Sequence, residues 1–180
     1  MRRIIRALGF VAIAGTLSCG TDTGDPAAPE GAVLVPAFVQ GGHPAHGAQN
    51  FNAPSLHGSN EVPPNGSKGA GTAWFKLSDD GLSLDYKLIV ANIDNVTQSH
   101  IHLAQPGANG GIVVFLFGFV AGGVTQNGVL AEGTITASNL INALSGQPLS
   151  ALIDHMRSGN AYVNVHTVAI PGGEIRDQIQ

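Results

Sequence analysis

The chain of 180 residues is long enough for one domain with its own core, and too short for two once its N-terminus is set aside. Its formal net charge is −4, and three of its 8 Lys and Arg residues, Arg2, Arg3 and Arg6, crowd the N-terminus. The rest therefore lacks a basic patch, which excludes nucleic acid as a partner. Charged residues make up only 11%, Gly is abundant at 25 residues, and Val, Ile and Leu fall in short runs between turn residues, the composition of a β-rich exported protein.

In chain order, Arg2, Arg3 and Arg6 precede an apolar stretch over residues 7–17 that is too short to span a bilayer as a mature helix. Gly15-Thr16-Leu17-Ser18 then leads into Cys19. This resembles a bacterial lipoprotein signal, although Thr16 stands where Leu is commonest. The resemblance implies that Cys19 becomes the lipidated first residue and anchors the chain to a membrane. Gly20, rather than Asp, after it implies the outer membrane of a two-membrane cell envelope. The alternative is an ordinary secretory signal with an incidental cysteine and a secreted product. Cys19 is the only cysteine, so no internal disulfide is expected.

Residues 20–53 are rich in Gly, Pro and Ala and read as a flexible tether, with residues 32–40 as a candidate edge strand. His43 and His46 lie in this tether. A flexible pair must be ordered to bind, so they read as solvated linker residues.

Regular structure is expected from about Leu56. Residues 71–77 (GTAWFKL) and 82–91 (LSLDYKLIVA) flank Asp79-Asp80-Gly81 as a β-hairpin. Leu82, Leu84, Tyr86, Leu88 and Val90 alternate with polar residues, which predicts one buried face. Further strands are predicted over 99–103, 112–117 and 128–136, with a loop over 105–111. Helical signals follow at 138–144 and 148–158, the second with Pro148 at its start, Gly159 after its end and Leu149, Leu152, Ile153 and Met156 at helical spacing. His155 falls beside that stripe, on the surface. Residues 161–167 and 174–179, joined by a turn at Pro171-Gly172-Gly173, form a terminal hairpin. The fold class is all-β, an antiparallel β-sandwich or Greek-key barrel with a short helical insertion.

The segments LHGSNEVPP (56–64), GTAWFKLSDDGLSLDYKLIVANI (71–93), SHIHLAQPGANGGIVV (99–114), GTITASNL (133–140) and SGNAYVNVHTVAIPGGEIRDQI (158–179) together resemble the CHRD domain, first described in chordin. The likeness covers residues 54–180 in order. It implies an immunoglobulin-like β-sandwich and no particular reaction, and the growth-factor binding of chordin does not transfer on fold likeness.

Within SHIHLAQ, His100 and His102 are spaced i and i+2, so on a strand they share a face, about 6–7 Å apart along the backbone. Ile101 and Leu103 then face the core. In the later strand Val163 and Val165 take the core, leaving Tyr162, Asn164 and His166 opposite. If the two strands are neighbours, His100, His102 and His166 converge, a donor set suited to Zn or Cu. Glu61, His57, Glu174 and Asn164 are candidate further ligands or hydrogen-bond partners of the imidazoles. Glu174 and Arg176 read as an outward ion pair of little weight. The competing account of the histidines is a hydrogen-bonded polar layer that ties down loops.

The sequence offers no nucleophile paired with a base, no Gly-flanked Ser elbow and no phosphate-cradling loop, which points away from an enzyme. The expected function is an envelope-anchored, non-catalytic module that binds a Cu or Zn ion or a protein partner at the cell surface. One alternative is a copper oxidoreductase similar in architecture to Cu,Zn superoxide dismutase, from which the chain departs in lacking the cysteine pair and a second set of His and Asp ligands. The other is an adhesive, structural module.

Overall fold

A computed structural model describes residues 49–180. The expected leader with Cys19, the candidate strand over 32–40 and the pair His43 and His46 lie outside the described residues. The described chain folds into eight antiparallel strands: β1 (Asn50–His57), β2 (Ala70–Leu77), β3 (Leu84–Ala91), β4 (Val96–Leu103), β5 (Gly111–Phe117), β6 (Gly128–Ile135), β7 (Ala161–Thr167) and β8 (Ile175–Gln178). They form one sheet in the order β5-β4-β7-β8-β1-β2-β3-β6. Its end strands β5 and β6 lie against each other, and Tyr86 on β3 donates its hydroxyl to the Leu116 carbonyl on β5 at 2.6 Å. The sheet thus nearly closes into a barrel, the all-β architecture expected from the strand pattern.

Alternation explains the core. Phe75 and Leu77 on β2, Leu84, Leu88 and Val90 on β3, Ile101 on β4, and Val163 and Val165 on β7 point inward and are buried. The helix α1 (Leu149–Arg157) follows Pro148 and buries Leu149, Leu152, Ile153 and Met156, the stripe its spacing predicted.

Three local expectations are corrected. Strand β1 begins at Asn50, so residues 50–53, assigned to the tether by composition, are strand and pair with β2. Its inward residues Phe51, Ala53 and Leu56 lose period two at a register shift between Ala53 and Leu56, where Pro54 sits, and this hid the strand. Leu82 is 67% exposed because the hairpin turn is longer than three residues. Ser78 and Ser83 close it, and Asp80 accepts from Ser78 Oγ and the Leu82 amide. The 138–144 helix is instead two separate 3-10 turns, Ala137–Asn139 and Asn142–Leu144. Asn142 has a left-handed φ of 50°, which no α-helix continues through, and its side chain and the Ile141 amide bond to β5 carbonyls instead.

Candidate metal centre

Strands β4 and β7 are neighbours, and their register places His100 opposite Asn164, His102 opposite Tyr162 and Gln98 opposite His166. Residues opposite one another share a face, so the three histidines stand together on the side of the sheet away from the barrel core. Ser99 and Thr97, on the intervening positions of β4, satisfy their hydroxyls on the carbonyls of Asn164 and His166. The outer face is itself covered: His100 is 0% exposed, and His102 and His166 are buried.

The rings of His100 and His102 lie 5.5 Å apart between centroids, and those of His100 and His166 4.9 Å. One nitrogen from each imidazole falls within 4.8 Å of the other two. His100 Nδ1 is 3.1 Å from His166 Nε2, near the roughly 3.3 Å that two nitrogens keep around a tetrahedral ion. The widest gap exceeds this, so the farthest ring must move slightly inward on binding.

Hydrogen bonding fixes which nitrogens are free. His102 Nδ1 meets the Gly110 carbonyl at 2.9 Å, and His166 Nδ1 meets the Pro171 carbonyl at 2.9 Å. A carbonyl only accepts, so both Nδ1 atoms carry the proton and both Nε2 atoms present a lone pair. His100 Nδ1 must then donate to His166 Nε2, which leaves His100 Nε2 bare. Neither His100 Nε2 nor His102 Nε2 has a hydrogen-bond partner. Buried acceptors left without partners are costly, and imidazoles whose other nitrogen is tied to a carbonyl are the usual arrangement around a metal.

Burial holds all three neutral. His100 is pushed down to about 3, by burial first and then by the neighbouring imidazoles. Burial also lowers His102, outweighing the upward pull of the Gly110 carbonyl and the Asn164 amide, and it lowers His166 against the Pro171 carbonyl. At neutral pH none of the three rings carries a charge, and the one proton in an ion's way is that of His100 Nδ1 on His166 Nε2.

The other candidates separate clearly. Asn164 stands opposite His100 on β7, with Oδ1 buried and without a partner. His57 is exposed at the end of β1, outside the cluster. Glu174 accepts from Ser67 Oγ at 2.6 Å and from Thr167 Oγ1, so it ties the 65–69 segment to β7 rather than joining the imidazoles. Glu61 is buried against Gly173, with Oε1 unpartnered, and it too stands outside the three-histidine group. Arg176 does not form the expected surface ion pair. It is 2% exposed, its guanidinium lies 3.7 Å from the Tyr162 ring centroid, and it donates to Asn109 Oδ1 and the Ala108 carbonyl. Reading the sequence missed Arg176, Tyr162 and Gly110 as parts of the site. The loop Gly and Asn residues that hold them look like ordinary turn formers.

A nearly closed antiparallel barrel with three buried imidazoles on the outer face of adjacent strands defines an all-β module with a candidate transition-metal centre. A family model for the CHRD domain matches residues 53–179, and the chain belongs to the CHRD domain family. No curated protein and no solved structure matched it.

The titrations have opposite signs. The histidines bind protons more weakly folded than unfolded, so their contribution is complete above about pH 6.5 and is lost as the pH falls below it, for His100 toward about 3. Glu61 is raised from 4.5 to about 7, by burial against the opposing pull of Arg176, so its contribution is present below 4.5 and lost as pH rises through 7. Glu61→Gln should therefore gain on the wild type by about 1–3 kcal/mol between pH 4.5 and 8 in metal-free denaturant titrations. A variant that instead loses ground as the pH rises would mean that the Arg176 attraction outweighs the burial.

Proposed function

We propose that this CHRD domain is a non-catalytic extracellular module that binds one Zn or Cu ion through His100, His102 and His166. A lipid on Cys19 would present it at the cell envelope, where a protein partner could meet it. The observation that carries the metal reading is the convergence of three buried, neutral imidazoles, with Nε2 of His100 and His102 left without partners.

The residues fit such an ion by their chemistry. Three uncharged nitrogen donors suit Zn(II) or copper and are poor ligands for Ca(II) or Mg(II), which favour oxygen. His102 and His166 present Nε2 and are oriented by the Gly110 and Pro171 carbonyls. His100 offers Nδ1, the nitrogen that faces His166 Nε2, after its proton has passed to Nε2. Asn164 Oδ1, opposite His100 in register and without a partner, is a candidate oxygen donor. A bound ion would draw β4 and β7 together on the face opposite the core and stabilise the fold by mass action. The leader supports export, through its positive n-region, short apolar stretch and small residue before Cys19.

The test uses the full chain without a His tag, with His43 and His46 changed to alanine so that the tether adds no imidazoles. After equilibration with Zn(II) or Cu(II) and gel filtration, it should retain one ion per chain. Thermal midpoint should rise with metal, corresponding to about 4 kcal/mol at a thousand-fold excess over Kd. His102→Ala and His166→Ala should abolish both effects. An unloaded wild type, or uptake that survives both substitutions, contradicts the reading. Mass spectrometry of the exported protein should find an acylated Cys19 at the N-terminus, and an unmodified terminus elsewhere would remove the anchor.

A further inference from the structure

Resting on the metal reading above, a second group of residues bears on how His102 is held. Two contacts fix this ring. The Gly110 carbonyl meets its Nδ1 edge at 2.9 Å, and Tyr162 stacks on its face at 4.8 Å between centroids and 9° between planes. Both supports lead to Arg176. Its guanidinium covers Tyr162 at 3.7 Å, and its two terminal nitrogens donate to Asn109 Oδ1 at 3.0 Å and to the Ala108 carbonyl at 2.8 Å, the two residues before Gly110.

The loop is braced from other directions as well. Asn109 donates to the Val62 carbonyl at 2.7 Å, and the Gly110 amide donates to the Tyr162 hydroxyl at 3.2 Å. Gly110 packs so tightly that a Cβ there would stand 1.9 Å from the Leu103 carbonyl oxygen. Only glycine brings its carbonyl this close to β4. Among the described residues, no carboxylate lies within ion-pair distance of Arg176. Its buried charge is spent on the loop and the Tyr162 ring, and a planar fork with two donors in fixed directions is what such a clamp requires.

We propose that Arg176 is a positioning residue for the metal centre: by clamping Ala108 and Asn109 and covering Tyr162, it holds the Gly110 carbonyl on His102 Nδ1 and so presents His102 Nε2 for coordination. His166 provides an internal comparison. Its Nδ1 is tied to the Pro171 carbonyl, through a turn that Arg176 does not donate to.

The experiment compares wild type, Arg176→Lys and Asn109→Ala in the full chain. Asn109 is exposed, so its variant leaves the buried face intact. Imidazole nitrogen NMR of the metal-free protein should show His102 and His166 both protonated on Nδ1 in the wild type. In each variant His102 should become a mixture of tautomers while His166 is unchanged, and Zn(II) affinity should fall by about 10–100-fold. An unaltered His102 tautomer with unaltered Zn(II) affinity overturns the proposal. Equal changes at His102 and His166 overturn it too, since they report general loosening. A wild type that takes up no Zn(II) while its His102 tautomer still responds to Arg176→Lys overturns the metal reading and leaves the clamp in place.

Discussion

The register between β4 and β7 is the constraint on which the site depends. It sets His100 against Asn164 and Gln98 against His166, and a slip of β7 by one residue would turn His166 into the barrel core and Val163 and Val165 out of it. The buried residues on the core side, Ile101, Val163 and Val165, therefore protect the geometry of the polar side. Folding energy and site geometry are linked through one set of backbone hydrogen bonds.

That polar side is unusual for a barrel, because it is covered instead of solvated. Phe115 stands edge-on to His100 at 4.6 Å, the 104–110 loop closes over His102, and the Gly172-Gly173 turn reaches Glu61. Covering imidazoles, an amide, a carboxylate and a guanidinium costs free energy unless each is paired. Glu174 accepts from the Ser67 and Thr167 hydroxyls, and Arg176 donates to Asn109 and the Ala108 carbonyl. His100, His102, Asn164 and Glu61 each keep one atom without a partner. A structural polar layer would be expected to close such gaps with its own side chains. Glu61 stands apart, and the unpartnered acceptors around the three histidines are better explained by a ligand that takes up a lone pair.

Much of this was legible in the sequence. Period-two alternation in LSLDYKLIVA and AYVNVHT gave the inward faces, and HIH on a strand gave two imidazoles one side. Resemblance to the CHRD domain and the family match cover the same strands. Adjacency of β4 and β7 could not be read locally, since about sixty residues separate His102 from His166 and strand order is set by packing of the whole barrel. Strand β1 was shortened in the reading because the Pro54 bulge breaks its alternation, and Asn142 ended a helix that its neighbours favour. Arg176 was misread for a related reason. Alternation correctly put it on the face away from the core, but only the fold of the 104–110 loop makes that face an interior.

The central claim is that one ion sits among three imidazole nitrogens. X-ray absorption at the metal edge of the Zn(II)- or Cu-loaded full chain, with His43 and His46 replaced by alanine, measures that shell directly. The account predicts three imidazole nitrogens at about 2.0 Å, with the outer-ring scattering of histidine. A shell of oxygen alone, or one that keeps its imidazole scattering when His100 and His166 are both replaced by alanine, would contradict it.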